Sequence, residues 1–153
     1  MKTLLLAFAL ALTTCIPELA DAGQTRAQRL GAVFGAPRDI VAAVAAHAES
    51  DDDVSLALTW GEHESGFANL PRAWSTDARR GQSRCFLQVR ADHDLTLDEC
   101  AATWFATLRA SEKLCGSREA GLRALSSGSC TRAVKLVRDR MEEAWYALEL
   151  TSP

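Results

Sequence analysis

Four cysteines recur at a spacing of fifteen residues in the second half of this 153-residue chain, and a fifth, Cys15, lies near the N-terminus. The four are Cys85, Cys100, Cys115 and Cys130. An even set of this kind in an exported chain indicates two disulfide bonds, for which three pairings are possible. The spacing lacks the paired C-x-x-C clusters that hold zinc, so we expect no metal site.

The first 22 residues predict a secretory signal peptide. Lys2 precedes an apolar run over residues 4–12, and Ala20-Asp21-Ala22 has the small-x-small pattern of a cleavage site. The run is shorter than the roughly 20 apolar residues that span a bilayer. Cleavage would remove Cys15, and we expect an exported protein, periplasmic or extracellular, with no transmembrane segment after cleavage. A lipoprotein anchored through Cys15 and a buried N-terminal helix are the alternatives.

The composition is that of a globular protein, with 48% hydrophobic and 24% charged residues. The length suits one domain. The formal net charge of −3 argues against nucleic-acid binding through bulk positive charge.

Hydrophobic spacing and capping residues predict a mainly α chain with one small irregular β-hairpin. The predicted order is a loose N-terminal arm over 23–36, a first helix from Pro37, a second helix from Asp53 to Glu64, an irregular loop over 66–96 with the hairpin near 85–89, a third helix from Thr96 to Leu114, a short fourth helix from Ser117 to Leu125, a turn over 126–129 and a last helix from Arg132 to Leu148. Charged residues of the last helix, Arg140 among them, are assigned to its solvent side. We therefore divide the chain into a signal peptide (1–22), an arm with the first helix (23–52) and a main domain (53–150).

One carboxylate on the second helix lies where an apolar residue is expected. On a helical wheel, Glu62 falls in a polar sector together with Ser55 and Thr59, whereas Glu64 falls in the apolar sector beside Trp60. Burial there, against Trp60 and Phe67, would favour the protonated acid, and a carboxylic acid that keeps its proton can act as a general acid. The other interpretation is a solvent-facing Glu at a frayed helix end.

Other catalytic patterns are incomplete. His63-Glu64 begins an H-E-x-x-H zinc-protease motif, but Phe67 stands where the second histidine is required. A G-x-S-x-G nucleophile motif is absent from the sequence.

Two short motifs resemble the soluble lytic transglycosylase family, whose lysozyme-like domain cleaves peptidoglycan. Glu64-Ser65-Gly66-Phe67 at a helix end matches the family's Glu-Ser-Gly-Phe, and Cys85-Phe86-Leu87-Gln88 partly matches its Gly-Leu-Met-Gln. Leu125-Ser126-Ser127-Gly128 stands where the family has Tyr-Asn-Ala-Gly. The resemblance covers roughly residues 53–148 and implies a lysozyme-like single domain. It assigns catalysis to Glu64 and glycan binding to Ser65, Phe67, Gln88 and Ser126.

The sequence also departs from the family pattern. Leu125 replaces a tyrosine that in the family positions the catalytic Glu or the sugar. Cys85 replaces the glycine of the second motif, and Cys130 closely follows the late turn. Because the fold implied by the resemblance places both cysteines near the cleft, we expect Cys85 to pair with Cys130 and Cys100 to pair with Cys115.

The activity implied by the resemblance is non-hydrolytic cleavage of the β-1,4 bond between N-acetylmuramic acid and N-acetylglucosamine, with formation of a 1,6-anhydro ring. It needs one Glu and no cofactor, and the expected partner of the monomeric protein is the peptidoglycan glycan strand. Paired-carboxylate hydrolysis, as in lysozyme, needs a second acid, for which Asp77, Asp92 and Asp94 are candidates. A third alternative is a glycan-binding or structural module that keeps the fold without activity.

Overall fold

The computed structural model describes residues 24–68, 85–89, 91 and 93–152. These residues form a mainly α fold, as predicted, and contain no β-strand. The helices are α1 (Arg26–Val33), α2 (Arg38–His47), α3 (Asp51–Ser65), α4 (Leu97–Cys115), α5 (Arg118–Ser127) and α6 (Val134–Leu150). Residues 85–89 form a turn, and the remainder of the expected hairpin lies outside the described residues, as do the expected signal peptide, Asp77 and Asp92. None of the helices in the described ranges is long and apolar enough to cross a membrane.

Capping side chains and left-handed glycines set the ends of α3, α4 and α5. The Ser50 hydroxyl accepts a hydrogen bond from the Asp53 backbone N–H at the start of α3, and Thr96 forms a capping box with Glu99 at the start of α4. α3, α4 and α5 each end at a glycine with positive φ, where a side chain would be strained. The glycines are Gly66, Gly116 and Gly128.

The predicted loose arm is wrong, because residues 26–33 form helix α1 and its Leu30 is fully buried. Arg26 donates hydrogen bonds to the Leu148 carbonyl and to Asp51, each at 3.1 Å, and thereby ties α1 to α6 and α3. Apolar residues of α1 and α2 belong to the same core as those of the later helices. The boundary drawn at residue 53 therefore does not separate an arm from the core.

Helix α3 is the central element and is buried along its length from Asp53 to Gly61. Two residues of its predicted polar sector, Ser55 and Thr59, are fully buried where α3 packs against α6. There the Ser55 hydroxyl donates to the Ala144 carbonyl at 2.6 Å, and the Thr59 hydroxyl donates to the Ser55 carbonyl at 2.9 Å. These bonds satisfy both hydroxyls and allow the helix to be buried on more than its apolar face.

The predicted disulfide pairing is wrong. The structure joins Cys85 to Cys100 and Cys115 to Cys130. Cys100 lies in the first turn of α4 and Cys115 is its last residue, so a rise of 1.5 Å per residue separates them by about 22 Å along the axis. A disulfide requires Cα atoms within about 7 Å, which a single straight helix cannot provide for this pair. The start of α4 is instead bonded to the turn that precedes it, and its end is bonded to the turn that follows α5.

Candidate functional site

A groove of about 630 Å³ runs between the end of α3, the outer side of α4, the end of α5 and the turn at 85–89. Of the residues predicted to act on a glycan, Glu64, Gln88 and Ser126 line this groove, together with Leu125. The full set of lining residues is Trp60, Glu64, Leu87, Gln88, Val89, Thr103, Trp104, Thr107, Ser111, Ala124, Leu125, Ser126, Ser127 and Gly128. Folding thus brings residues from three separate sequence motifs to one surface.

Glu64 is the single ionisable side chain among the described residues that line the groove. It lies in the last turn of α3, one helical turn after the buried Trp60, and its side chain is 34% exposed. The Glu64 side chain is therefore accessible from the groove, whereas its neighbour Glu62 is exposed without lining it.

A buried arginine contacts Glu64 from helix α6. Arg140 Nη1 donates a hydrogen bond to Glu64 Oε1 at 2.7 Å, and the Arg140 side chain is only 10% exposed. The guanidinium carbon also lies 4.9 Å from the centroid of the Trp60 ring, a cation–π contact. The expectation of an acid enclosed by apolar side chains is therefore wrong, since a cation faces this carboxyl group and a third of the side chain meets solvent.

Arg140 was assigned to the solvent side of the last helix, and that assignment is also wrong. The spacing of Arg140 from Val137 and Ala144 indicates that it is buried, because these two buried residues lie three positions before it and four after it. Residues at these spacings share one helix face. A charge on the apolar stripe of α6 is the counterpart of the charge on the apolar sector of α3.

Ser65 and Phe67 hold the backbone beside the groove and do not line it. The Ser65 hydroxyl donates to the Phe86 carbonyl at 2.8 Å, which fastens the turn at 85–89 to the end of α3. The Phe67 ring packs over Gly61, where a Cβ would lie 3.0 Å from it. Both residues therefore position the groove wall, which differs from the glycan-binding role expected for them.

Gln88 enters the groove through a tight turn. Its backbone N–H donates to the Cys85 carbonyl at 2.9 Å, and its φ of 54° lies in the left-handed region that non-glycine residues seldom adopt. Leu87 is buried beneath it, and the Cys85–Cys100 disulfide links the turn to α4. This bond and the Ser65 contact together fix the turn that presents Gln88.

Hydroxyl groups dominate the polar lining of the groove. Thr103, Thr107 and Ser111 follow one another at four-residue intervals along α4, and Ser126 and Ser127 lie opposite at the end of α5. The indole Nε1 of Trp104, which also lines the groove, is buried and has no hydrogen-bond partner among the residues that the structure describes. A surface with many hydroxyl groups and one carboxyl suits a neutral polar ligand such as a sugar.

Comparison with known proteins adds no relative: no family model matches the chain, and neither the curated proteins nor the solved structures contain a match. Among the residues that the structure describes, no group of three or more His, Cys, Asp or Glu side chains could hold a metal ion. Glu64 and the hydroxyl groups around it are therefore the chemistry that the described groove offers.

Proposed function

We propose that this protein is a peptidoglycan lytic transglycosylase that uses Glu64 as its single acid and base. The observation that carries the proposal is the position of Glu64 in a groove whose other described lining residues carry no ionisable group. The lysozyme-like family assignment remains part of this proposal and rests on the motif resemblance. The convergence of Glu64, Gln88 and Ser126 on one groove supports it.

In the proposed reaction, the Glu64 carboxyl group gives its proton to the glycosidic oxygen as the bond from that oxygen to C1 breaks. The acetamido oxygen of the substrate stabilises the electron-deficient C1. The Glu64 carboxylate then removes the proton of the C6 hydroxyl while the hydroxyl oxygen bonds to C1, which closes the 1,6-anhydro ring. The carboxyl group is regenerated and no water is consumed, so a second protein carboxylate is not needed.

The test is digestion of purified sacculi by the wild-type protein and by Glu64→Gln. We expect soluble muropeptides with anhydro ends, one water lighter than hydrolysed ends. The Gln variant should lose at least the factor of about 10² to 10⁴ that general acid–base catalysis contributes. Glu62→Gln is the matched control, because Glu62 lies in the same helical turn and does not line the groove; it should retain full activity.

The products distinguish the alternatives. Muropeptides with hydrolysed reducing ends would replace the proposal with lysozyme-type hydrolysis. In that case a second acid would be sought at Asp77, Asp92 or Asp94. Retained activity in Glu64→Gln would move catalysis to another residue.

A glycan-binding module without activity is the second candidate, and two features of the groove favour it. Arg140 bonds Glu64 directly, and Leu125 occupies the position where the family has a tyrosine. This candidate predicts that the wild-type protein binds to sacculi in a pull-down and releases no soluble fragment.

A further inference from the structure

Arg140 is the buried charge whose presence the packing of the helices does not explain. It emerges from the apolar stripe of α6, between Val137 and Ala144, and its hydrogen-bonded partner is Glu64. Taking a guanidinium out of water costs several kcal/mol, and replacement of a buried ion pair by apolar side chains is often neutral or stabilising. Stability alone therefore gives little reason for an arginine here.

The contacts of Arg140 are those of a group that orients the Glu64 carboxyl. Its guanidinium lies against the Trp60 ring and donates to Oε1 of Glu64 at 2.7 Å. The ring and the surrounding α6 stripe restrict the guanidinium, which in turn restricts rotation of the carboxyl group. Arg140 itself does not line the groove, so it acts through Glu64.

We propose that Arg140 is the positioning residue that assigns different roles to the two oxygens of Glu64, an inference that rests on the proposed function. Arg140 holds Oε1, and Oε2 carries the proton that goes to the glycosidic oxygen. When that proton leaves, the carboxylate that remains is stabilised by the guanidinium, which is already in place and needs no reorganisation. Oε2 then takes the proton of the C6 hydroxyl.

The decisive variant is Arg140→Met, which has a similar length and no charge. Because Glu64 is one-third exposed, water can solvate the carboxylate that this change leaves behind. We expect the variant to unfold at the same temperature as the wild type or higher. We also expect kcat to fall about 10²-fold or more, the loss typical of removing one preorganised donor. KM should change by less than about threefold, because a change in KM alone requires the loss of an interaction that is equally strong in the ground state and the transition state.

Two further variants separate positioning from structure. Arg140→Lys keeps the cation without the planar fork and should recover part of the kcat lost in Arg140→Met. Glu143→Gln removes the negative charge from another polar contact between α3 and α6, in which His63 Nε2 lies 2.6 Å from Glu143 Oε2. It should leave kcat unchanged, since neither His63 nor Glu143 lines the groove.

The double variant Glu64→Gln/Arg140→Met completes the test. If Arg140 acts through Glu64, its removal should have no further effect on the residual rate of Glu64→Gln. If Arg140→Met lowered the rate by the same factor in the wild type and in Glu64→Gln, the inference would be overturned. It would also be overturned if Arg140→Met and Glu143→Gln both lowered kcat together with thermal stability. A wild-type protein that releases no muropeptide would refute the proposed function itself, which is a different result from an active wild type with an active Arg140→Met.

Discussion

The two disulfide bonds provide a matched pair for measuring how much burial adds to the stability that a disulfide bond contributes. Each joins cysteines that are 15 residues apart in the sequence. The loss of chain entropy in the unfolded state depends on the length of the closed loop, so it is the same for both bonds. For this loop length it corresponds to about 3 kcal/mol of stability.

The two bonds differ in their surroundings. Cys85 and Cys100 are fully buried in the core beside Phe86, whereas Cys115 and Cys130 are partly exposed at the far end of α4. Removing an atom the size of a methyl group from a core costs about 0.5–1.5 kcal/mol, and the buried pair loses two sulfurs. We therefore expect Cys85→Ala/Cys100→Ala to lose about 4–6 kcal/mol, and Cys115→Ala/Cys130→Ala to lose about 3 kcal/mol.

Equilibrium unfolding in urea, followed by far-ultraviolet circular dichroism without reductant, measures both losses. Domains of this size have about 5–15 kcal/mol of stability in total. A wild-type stability at the lower end of that range would leave the first variant unfolded in buffer, and that outcome counts as the larger loss. Equal midpoints for the two variants, or a larger loss for Cys115→Ala/Cys130→Ala, would refute the assignment of the extra stability to burial. A peptide map of the unreduced protein checks the pairing itself.

Two further predictions concern α4 and its neighbours. Gly121→Ala should destabilise the protein by about 1–3 kcal/mol, because a Cβ there would lie 2.7 Å from the backbone nitrogen of Glu112. The loss would be measured as a lower thermal midpoint. A higher midpoint, which the better helix propensity of Ala would produce, would contradict this close contact. Hydrogen bonds from the Thr96 backbone N–H and hydroxyl lower the pKa of Glu99 below 4.5, so they contribute stability above that pH, and the contribution is lost as the pH falls through the lowered value. Glu99→Gln should accordingly be less stable than the wild type near neutral pH and equally stable in strong acid, and a difference independent of pH would show that the Glu99 charge is not involved.

Helix positions in this chain are largely predictable because their signals are local. Ser50, Thr96 and Ser117 each accept a hydrogen bond from a backbone N–H two or three residues into the helix that follows, and Gly66 and Gly116 end the helices. The same kind of signal marks the start of α1. Thr25 and Gln28 form a capping box, and the Thr-x-x-Gln pattern that encodes it is visible in the sequence.

Features that depend on two elements at once were not predictable in the same way. The wheel of α3 places Ser55 and Thr59 on a polar side, but both are buried: the Ser55 hydroxyl donates to the Ala144 carbonyl of α6, and the Thr59 hydroxyl donates to the Ser55 carbonyl within α3. The predicted disulfide pairing rests on an expected cleft geometry, whereas the length of α4 excludes it by separating Cys100 from Cys115. Ser65 follows Glu64 directly in sequence, but its hydroxyl points to the Phe86 carbonyl outside the groove.

The pairing of Glu64 with Arg140 shows how such a feature could be found from sequence. Each helix considered alone has one charged residue on an apolar stripe, which is costly when buried without a partner. Two such residues of opposite sign, on helices that both belong to the core, offset part of each other's cost if the helices pack with these positions in contact. The position of Glu64 in an apolar sector therefore indicates a cation as well as a cleft, and Arg140, between Val137 and Ala144 on the apolar stripe of α6, is the matching residue. A carboxyl group with such a partner is oriented by it, so in the proposed reaction Oε2 exchanges the proton with the substrate while Arg140 holds Oε1.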